Sequence, residues 1–179
     1  MGFAVELHLD EASAAVVRSL WRRLAAAPIG AAPHGAGARP HVTLAVADGL
    51  DLPAAERLIA DLARSTRPLP VTFSSLGVFA TDPAVLFLAP VVTRELLRLH
   101  KQFHTRFGAV ADRPWPYYAP GAWVPHCTLA ERFPRASLGL AAATAAEAIA
   151  LPLAGRLDRV GIVQFRPVQE RALVALGAV

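Results

Sequence analysis

Two histidines lie in nearly identical five-residue segments of this chain. The segments are Pro-His-Val-Thr-Leu at residues 40–44 and Pro-His-Cys-Thr-Leu at residues 125–129. With fifteen prolines and six histidines among 179 residues, two such Pro-His-x-Thr matches arise by chance with a probability of roughly two in ten thousand. Coincidence is therefore a poor explanation, although two duplicated strands could carry the pattern for packing alone.

Histidine and threonine at this spacing suit acid-base chemistry on an anion. Side chains two positions apart on a strand share a face, so His41 lies beside Thr43 and His126 beside Thr128. An imidazole with an ordinary pKa near ~6.5 accepts or releases a proton at neutral pH, and a hydroxyl can hold a phosphoryl oxygen. We therefore predict that the histidines are catalytic and the threonines bind phosphate. Residue type leaves open which histidine is the acid.

The elements that must position these segments recur in the same order. The sequence predicts the same order of elements twice: a strand, a helix, a Gly/Pro-rich loop, a strand with the histidine, a helix and two strands. The strand at 84–89 ends the first copy and also begins the second. The predicted strands are 3–9, 41–47, 71–79, 84–89, 126–132, 159–165 and 171–176, the helices are 10–28, 53–64, 93–107 and 137–150, and the long loops are 30–40 and 112–125.

This internal repeat predicts one α+β domain over residues 1–179, with two pseudo-symmetric lobes around a central cleft. The lobes would span about 1–83 and 84–179, with mainly antiparallel sheets. Alternating strands and helices also allow a doubly wound parallel sheet. The chain has no Gly-rich phosphate loop to support a nucleotide-binding fold of that kind.

Composition favours a globular chain with an anionic partner. Hydrophobic residues make up 54% and charged residues 18%, and no apolar run reaches the ~18 residues of a membrane span. The N-terminus lacks the features of a signal peptide, and the single cysteine suits a reducing compartment. We therefore expect a cytoplasmic monomer. The net charge is +4 and almost all of the basic residues are arginine, which suits phosphate binding but also fits a simple coding bias.

With both His-x-Thr segments intact, the chain resembles the 2H phosphoesterases, which include the 2′-5′ RNA ligase-like proteins. Residues 76–79 and 85–88 are similar to the central hairpin of that family, and residues 160–176 to its closing strand pair. One position departs from the pattern. Many relatives have an arginine directly after Thr-Leu-Ala, whereas this chain has Glu131 there and Arg132 next.

The resemblance implies a cyclic phosphodiesterase that needs no metal or cofactor. Its substrates would be the 2′,3′-cyclic phosphate ends of RNA or small cyclic nucleotides, and its product a 2′-phosphomonoester. Two alternatives stay open: a module that binds a nucleotide or RNA end without turnover, and an enzyme that joins RNA ends. Joining ranks below hydrolysis because water at ~55 M competes with a second RNA end.

Five further residues are secondary candidates for substrate binding. Phe79, Tyr118 and Trp123 could stack on a nucleobase, although aromatic residues more often cover a core. Arg132 and Arg39 could contact phosphate, or could be ordinary solvated arginines. Arg132 is expected to face the cleft only if its strand stays regular.

Two other chemical readings of the sequence are weak. His100 and His104 have the i, i+4 spacing of a zinc pair on a helix, but neither a Glu nor a third ligand accompanies them. Cys127 follows His126 directly, and strand alternation places the thiol on the opposite face from the imidazole. We therefore predict neither a metal site nor a cysteine nucleophile.

Overall fold

The computed structural model describes residues 2–31, 37–165 and 168–177, so part of the expected loop 30–40 lies outside the described residues. These residues form strands and helices in the predicted alternation. The strands are β1 (Gly2–Leu9), β2 (His41–Leu50), β3 (Leu69–Phe79), β4 (Ala84–Pro90), β5 (Ala111–Pro114), β6 (Cys127–Phe133), β7 (Leu153–Phe165) and β8 (Gln169–Ala175). The helices are α1 (Glu11–Ala26), α2 (Leu52–Ser65), α3 (Arg94–Phe107) and α4 (Leu138–Ala148).

The first three helices begin at side chains that cap them. Asp10, Asp51 and Thr93 each accept a hydrogen bond, at 3.1–3.2 Å, from the backbone amide three residues later. Such caps satisfy an amide that has no partner within the helix. Helices α1 and α4 pack against each other, and α2 packs against β7 and β8.

All neighbouring strands pair antiparallel in one sheet, in the order β5-β2-β1-β7-β3-β4-β6, with β8 also paired to β7. The predicted α+β class with antiparallel pairing is confirmed. The sheets expected for two lobes are joined into one, because β3 and β7 pair at its centre.

The strand order has an internal symmetry. If β1, β2 and β3 correspond to β4, β6 and β7, the order β2-β1-β7-β3-β4-β6 is the same from either end. The third strand of each half thus lies beside the first strand of the other half. Strand pairing therefore crosses the boundary that we expected near residue 83. The later strand β5 crosses it too, since it pairs with β2.

The sheet curves so that strands far apart in its order meet. Strands β2 and β6 lie near opposite ends of the order, yet their residues contact each other. On both strands the alternation is as predicted: Val42 and Cys127 are fully buried, whereas His41, Thr43 and Thr128 are half-buried. Among the described residues, no helix is both long and apolar enough to cross a membrane.

Candidate functional site

The rings of His41 and His126 are held by the same contact. His41 is the first residue of β2, and its Nδ1 lies 2.7 Å from the carbonyl oxygen of Arg39. His126 directly precedes β6, and its Nδ1 lies 2.8 Å from the carbonyl oxygen of Val124. In both segments the ring therefore binds the backbone two residues earlier.

This contact determines which ring nitrogen can do chemistry. A carbonyl oxygen only accepts hydrogen bonds, so each Nδ1 carries the hydrogen and donates it. The proton that an imidazole takes up or gives away is then the one on Nε2. Both histidines thus have the tautomer and the fixed ring that acid-base chemistry requires.

Several contacts bring the two segments together. The indole nitrogen of Trp123, just ahead of β6, donates to the carbonyl oxygen of Thr43 at 2.9 Å. The indole nitrogen of Trp21, on α1, donates to the carbonyl oxygen of Thr128 at 2.9 Å. In addition, residues of β2 and β6 contact each other. The structure thus places the two His-x-Thr segments side by side.

The ring of His126 lies among aromatic side chains. Its centroid is 5.1 Å from that of Phe79 and 5.2 Å from that of Phe87. Burial lowers the pKa of His126 below its ordinary value, and the charge of His41 lowers it further. His126 is consequently neutral at pH 7 and within electrostatic reach of His41.

The ring of His41 lies beside a buried carboxylate. Residues Glu6 and His8 of β1 pair in register with Thr43 and His41 of β2. The Oε2 atom of Glu6 is 3.4 Å from Nδ1 of His41 and 3.8 Å from Nε2 of His8. Neither residue was predicted from the sequence. The signal was two polar residues, two positions apart, on an otherwise apolar strand.

His8 is buried in an uncharged form. Only 2% of the residue is exposed, and neither ring nitrogen has a hydrogen-bond partner among the described residues. Burial lowers the pKa of His8 to about 3, and the charges of His41, Arg39 and Arg159 act in the same direction. His8 therefore stays neutral at any pH at which the protein would work.

The hydroxyls of Thr43 and Thr128 are available to a ligand. Both side chains are half-buried, and neither hydroxyl has a hydrogen-bond partner within the described parts of the chain. Their backbone carbonyls are held by Trp123 and Trp21. The threonines are thus fixed through the backbone, which leaves the side-chain donors unused.

Two of the three aromatic candidates, Phe79 and Trp123, contact the His-x-Thr segments. Phe79 contacts His126, as described above. Burial raises the pKa of Tyr118, and the charges of Glu6 and Glu131 raise it further. The indole of Trp123 stacks flat on His100 with centroids 3.9 Å apart. One face of Trp123 is thereby covered.

The two arginine candidates are placed differently from each other. Arg39 is held by Glu170 of β8, with Nε and Oε2 3.0 Å apart. Arg132 lies in a register shift of the β4–β6 pair and has a φ of +58°. The strand regularity on which its predicted orientation depended is therefore absent. Arg132 is exposed and lies 3.8 Å from Glu131.

His100 and His104 hold backbone carbonyls rather than a shared ligand. Nε2 of His100 binds the carbonyl oxygen of Tyr118 at 2.9 Å, and Nε2 of His104 binds that of Leu44 at 3.1 Å. Burial lowers the pKa of both, to about 4 for His100. In the described parts of the chain, no group of three or more His, Cys, Asp or Glu side chains could hold a metal ion.

A cavity of about 560 Å³ lies between α2 and α3, and none of its lining residues belongs to the histidine site. Its one carboxylate, Asp61, is held by Arg64 and Arg106. The acid-base groups of the candidate site therefore lie outside this cavity.

Comparison with known proteins gives a family and a fold. A sequence model of the 2′-5′ RNA ligase superfamily matches residues 10–168. The crystal structure of TT0787 of Thermus thermophilus aligns with 99% of each chain, at a TM-score of 0.67 and 18% identity. No curated protein sequence matches the chain significantly.

Two further solved structures were determined with nucleotides bound. E. coli LigT complexed with 3′-AMP aligns over 98% of this chain and 97% of its own, at a TM-score of 0.63 and 16% identity. Usb1 of Kluyveromyces marxianus with uridine monophosphate aligns over 98% and 97%, at a TM-score of 0.52 and 15% identity. At such identities the similarity shows a shared fold.

Proposed function

The chain belongs to the 2′-5′ RNA ligase superfamily, and we propose that it is a metal-independent phosphodiesterase that opens 2′,3′-cyclic phosphates. The substrates would be RNA ends or small cyclic nucleotides. The observation that carries the proposal is the matched pair of imidazoles, each with Nδ1 bound to a carbonyl and Nε2 left for proton transfer.

The proposed reaction needs one proton acceptor and one proton donor. Water attacks phosphorus while one imidazole removes its proton, and the 3′ oxygen departs while the other imidazole protonates it. The product is a 2′-phosphomonoester. Two neighbouring histidines can supply both steps near neutral pH, and neither step needs a metal ion.

The threonine hydroxyls suit the remaining requirement. Negative charge accumulates on the phosphoryl oxygens as water adds, and fixed donors stabilise it more in the transition state than in the substrate. Thr43 and Thr128 have unused hydroxyls beside the histidines. Positioning and electrostatic stabilisation would then do most of the work, as is usual for phosphoryl transfer.

The similar structures and the aromatic surface of the site both support a nucleotide substrate. The similar structures of LigT and Usb1 were determined with 3′-AMP and uridine monophosphate. Phe79 offers aromatic surface beside the imidazole of His126, where a nucleobase could stack. We expect the protein to act as a cytoplasmic monomer.

The test is turnover of 2′,3′-cyclic nucleotides in excess chelator. We expect hydrolysis to persist with chelator, and His41→Ala and His126→Ala each to lower kcat by about 10²–10⁴-fold. Lys101→Ala, a substitution of an exposed residue on α3, is the control for effects of expression and purification on activity. Turnover that vanishes with chelator, or that survives both histidine changes, contradicts the mechanism. Tight nucleotide binding without hydrolysis would instead show a binding module, and joining of RNA ends would show a ligase.

A further inference from the structure

The two histidines share their local geometry but not their surroundings. The carbonyl contacts of His41 and His126 measure 2.7 and 2.8 Å. Beyond these contacts, His41 faces polar residues of β1, whereas His126 faces phenylalanine rings. A pair of titratable groups in contrasting environments can divide the acid and base roles between them.

Glu6 is the group that distinguishes the His41 side. It is 7% exposed, and its Oε2 atom lies 3.4 Å from Nδ1 of His41. A carboxylate at this distance attracts a positive charge on the imidazole. Burial raises the pKa of Glu6, and the charge of His41 opposes that rise. The two groups therefore interact electrostatically.

The His126 side has no such partner. Within the described residues, no carboxylate forms an ion pair with His126. The rings of Phe79 and Phe87 exclude water from one side of the imidazole. Loss of water disfavours the charged form, so His126 is suited to begin the reaction neutral.

We propose that Glu6 is a positioning residue that keeps a proton on the His41 side of the site, so that His41 is the proton donor and His126 the proton acceptor. This inference rests on the proposed phosphodiesterase function. It assigns a role to a residue outside the two His-x-Thr segments.

The proton balance of the cycle is complete. Nε2 of His126 takes a proton from water as the new O–P bond forms. Nε2 of His41 releases its proton to the 3′ oxygen as the P–O bond breaks. The net change is the addition of one water molecule to the cyclic phosphate. Exchange with solvent then returns the proton from His126 and restores the one on His41.

The other charged and titratable groups around this pair do not replace Glu6. Arg39 is paired with Glu170 at 3.0 Å, and Arg159 lies 3.8 Å from Asp158. Three further groups are uncharged at neutral pH: burial lowers the pKa of His8 to about 3, raises that of Cys127 to about 12, and raises that of the phenol of Tyr118. Glu6 is thus the carboxylate in contact with His41.

The first experiment measures kcat/KM against pH for the wild type and for Glu6→Gln. If the proposal is correct, loss of the carboxylate weakens proton binding by His41. Protonated His41, the proton donor, is then lost at a lower pH than in the wild type. We expect the descending limb to move to lower pH, with the ascending limb and KM little changed. Glu6→Asp, which keeps a carboxylate, should restore the limb in part.

Glu170→Gln is the matched control, since it removes a nearby carboxylate that does not contact His41. Its descending limb should stay close to that of the wild type. A shift as large as that of Glu6→Gln would show a general charge effect and would overturn the assignment. A descending limb that does not move in Glu6→Gln would overturn it as well.

A second experiment separates this inference from the proposed function. NMR titration of the His41 ring and the Glu6 carboxyl in the wild type needs neither substrate nor variant. We expect the two signals to titrate together. If the wild type hydrolyses no cyclic phosphate, the proposed function fails while this titration still tests the pairing. Independent titration of the two groups would reject the role of Glu6.

Discussion

The ring of His126 owes its proton affinity to the side chains that exclude water from it. Phe79 approaches it edge-on, at 5.1 Å and an interplanar angle of 88°. Burial is the main cause of the lowered pKa of His126. If His126 is the base of the reaction, the ascending limb of the pH profile reports this lowered pKa and lies below pH 6.5.

We predict that Phe79→Ala moves that ascending limb upward. Water admitted by the smaller side chain stabilises the imidazolium, so His126 stays protonated to a higher pH, by a few tenths to about one pH unit. The measurement is kcat/KM across the acidic and neutral range. Val78→Ala is the matched control, because Val78 is the adjacent residue of β3 and is 44% exposed. An ascending limb that does not move would show that Phe79 does not set the proton affinity of His126.

A site residue could be predicted from the sequence where the alternation of side chains along a strand fixes the face on which it lies. Alternation on a strand was enough to pair His41 with Thr43 and to turn Cys127 away. Glu6 was not predicted, because its neighbour is set by the register of β1 against β2, which includes a shift between Val5 and Glu6. The polar residues of β1 were visible in the sequence, but no pattern within β1 shows which residues of β2 lie opposite them.

At the scale of elements, two indole groups hold the site strands from outside. Trp21 extends from α1 to the carbonyl of Thr128, and Trp123 extends from the segment before β6 to that of Thr43. Each bond satisfies a carbonyl of a residue whose hydroxyl is left for the ligand. The helix and the loop thus contribute to the positions of the threonines.

We predict that Trp21→Phe and Trp123→Phe each lower the free energy of unfolding by about 1 kcal/mol, the usual contribution of one such hydrogen bond. They should also lower kcat several-fold, because the backbone of Thr128 or Thr43 loses the hydrogen bond that fixes its position. Denaturant unfolding and steady-state kinetics measure the two effects. Trp115→Phe removes an indole bond to Asp48, at the β2–β5 edge, and should leave kcat unchanged. Equal effects of all three variants on kcat would contradict this role.

The ends of elements were predictable where a side chain marks them. Asp10 and Thr93 cap helices at the expected places. Strand β5 was not predicted, because its four residues, Ala-Asp-Arg-Pro, carry no strand pattern, and all but the first fall in the predicted loop 112–125. Strand β7 begins at Leu153, ahead of the predicted start at residue 159, because its first part is specified by pairing with β3.

At the scale of the whole molecule, the buried imidazole of His8 couples folding to pH. The folded chain keeps its pKa at about 3, whereas in the unfolded chain it returns to about 6.5. Below pH 6.5 the unfolded state therefore binds a proton that the folded state does not bind. This contribution lowers stability as the pH falls from 6.5 towards 3 and vanishes above 6.5.

We predict that His8→Leu makes the protein more resistant to acid. The wild type should lose about 3 kcal/mol of stability between about pH 7 and about pH 4 through His8 alone, and the variant should lack that loss. Urea unfolding at the two pH values measures it. The difference between the two proteins at neutral pH isolates the packing effect of the substitution. An equal decline in both proteins would show that His8 takes up its proton without unfolding.

The global arrangement was predictable only in part. The repeat indicated two related units and an antiparallel α+β fold, since duplicated segments adopt similar structures. It did not show that β3 and β7 change places between the units. Either strand could satisfy its hydrogen bonds in its own unit, so the choice between the two arrangements depends on long-range packing rather than on local pattern.

That exchange has a consequence for the ancestry of the chain. An ancestor with one copy of the unit would have had one histidine, and two such chains that exchanged their last strands would have formed the same strand order. Fusion of two such genes would have turned an intertwined homodimer into a single polypeptide. On this topology the active centre would have begun at a contact between separate molecules, and covalent linkage would have let its two sides diverge.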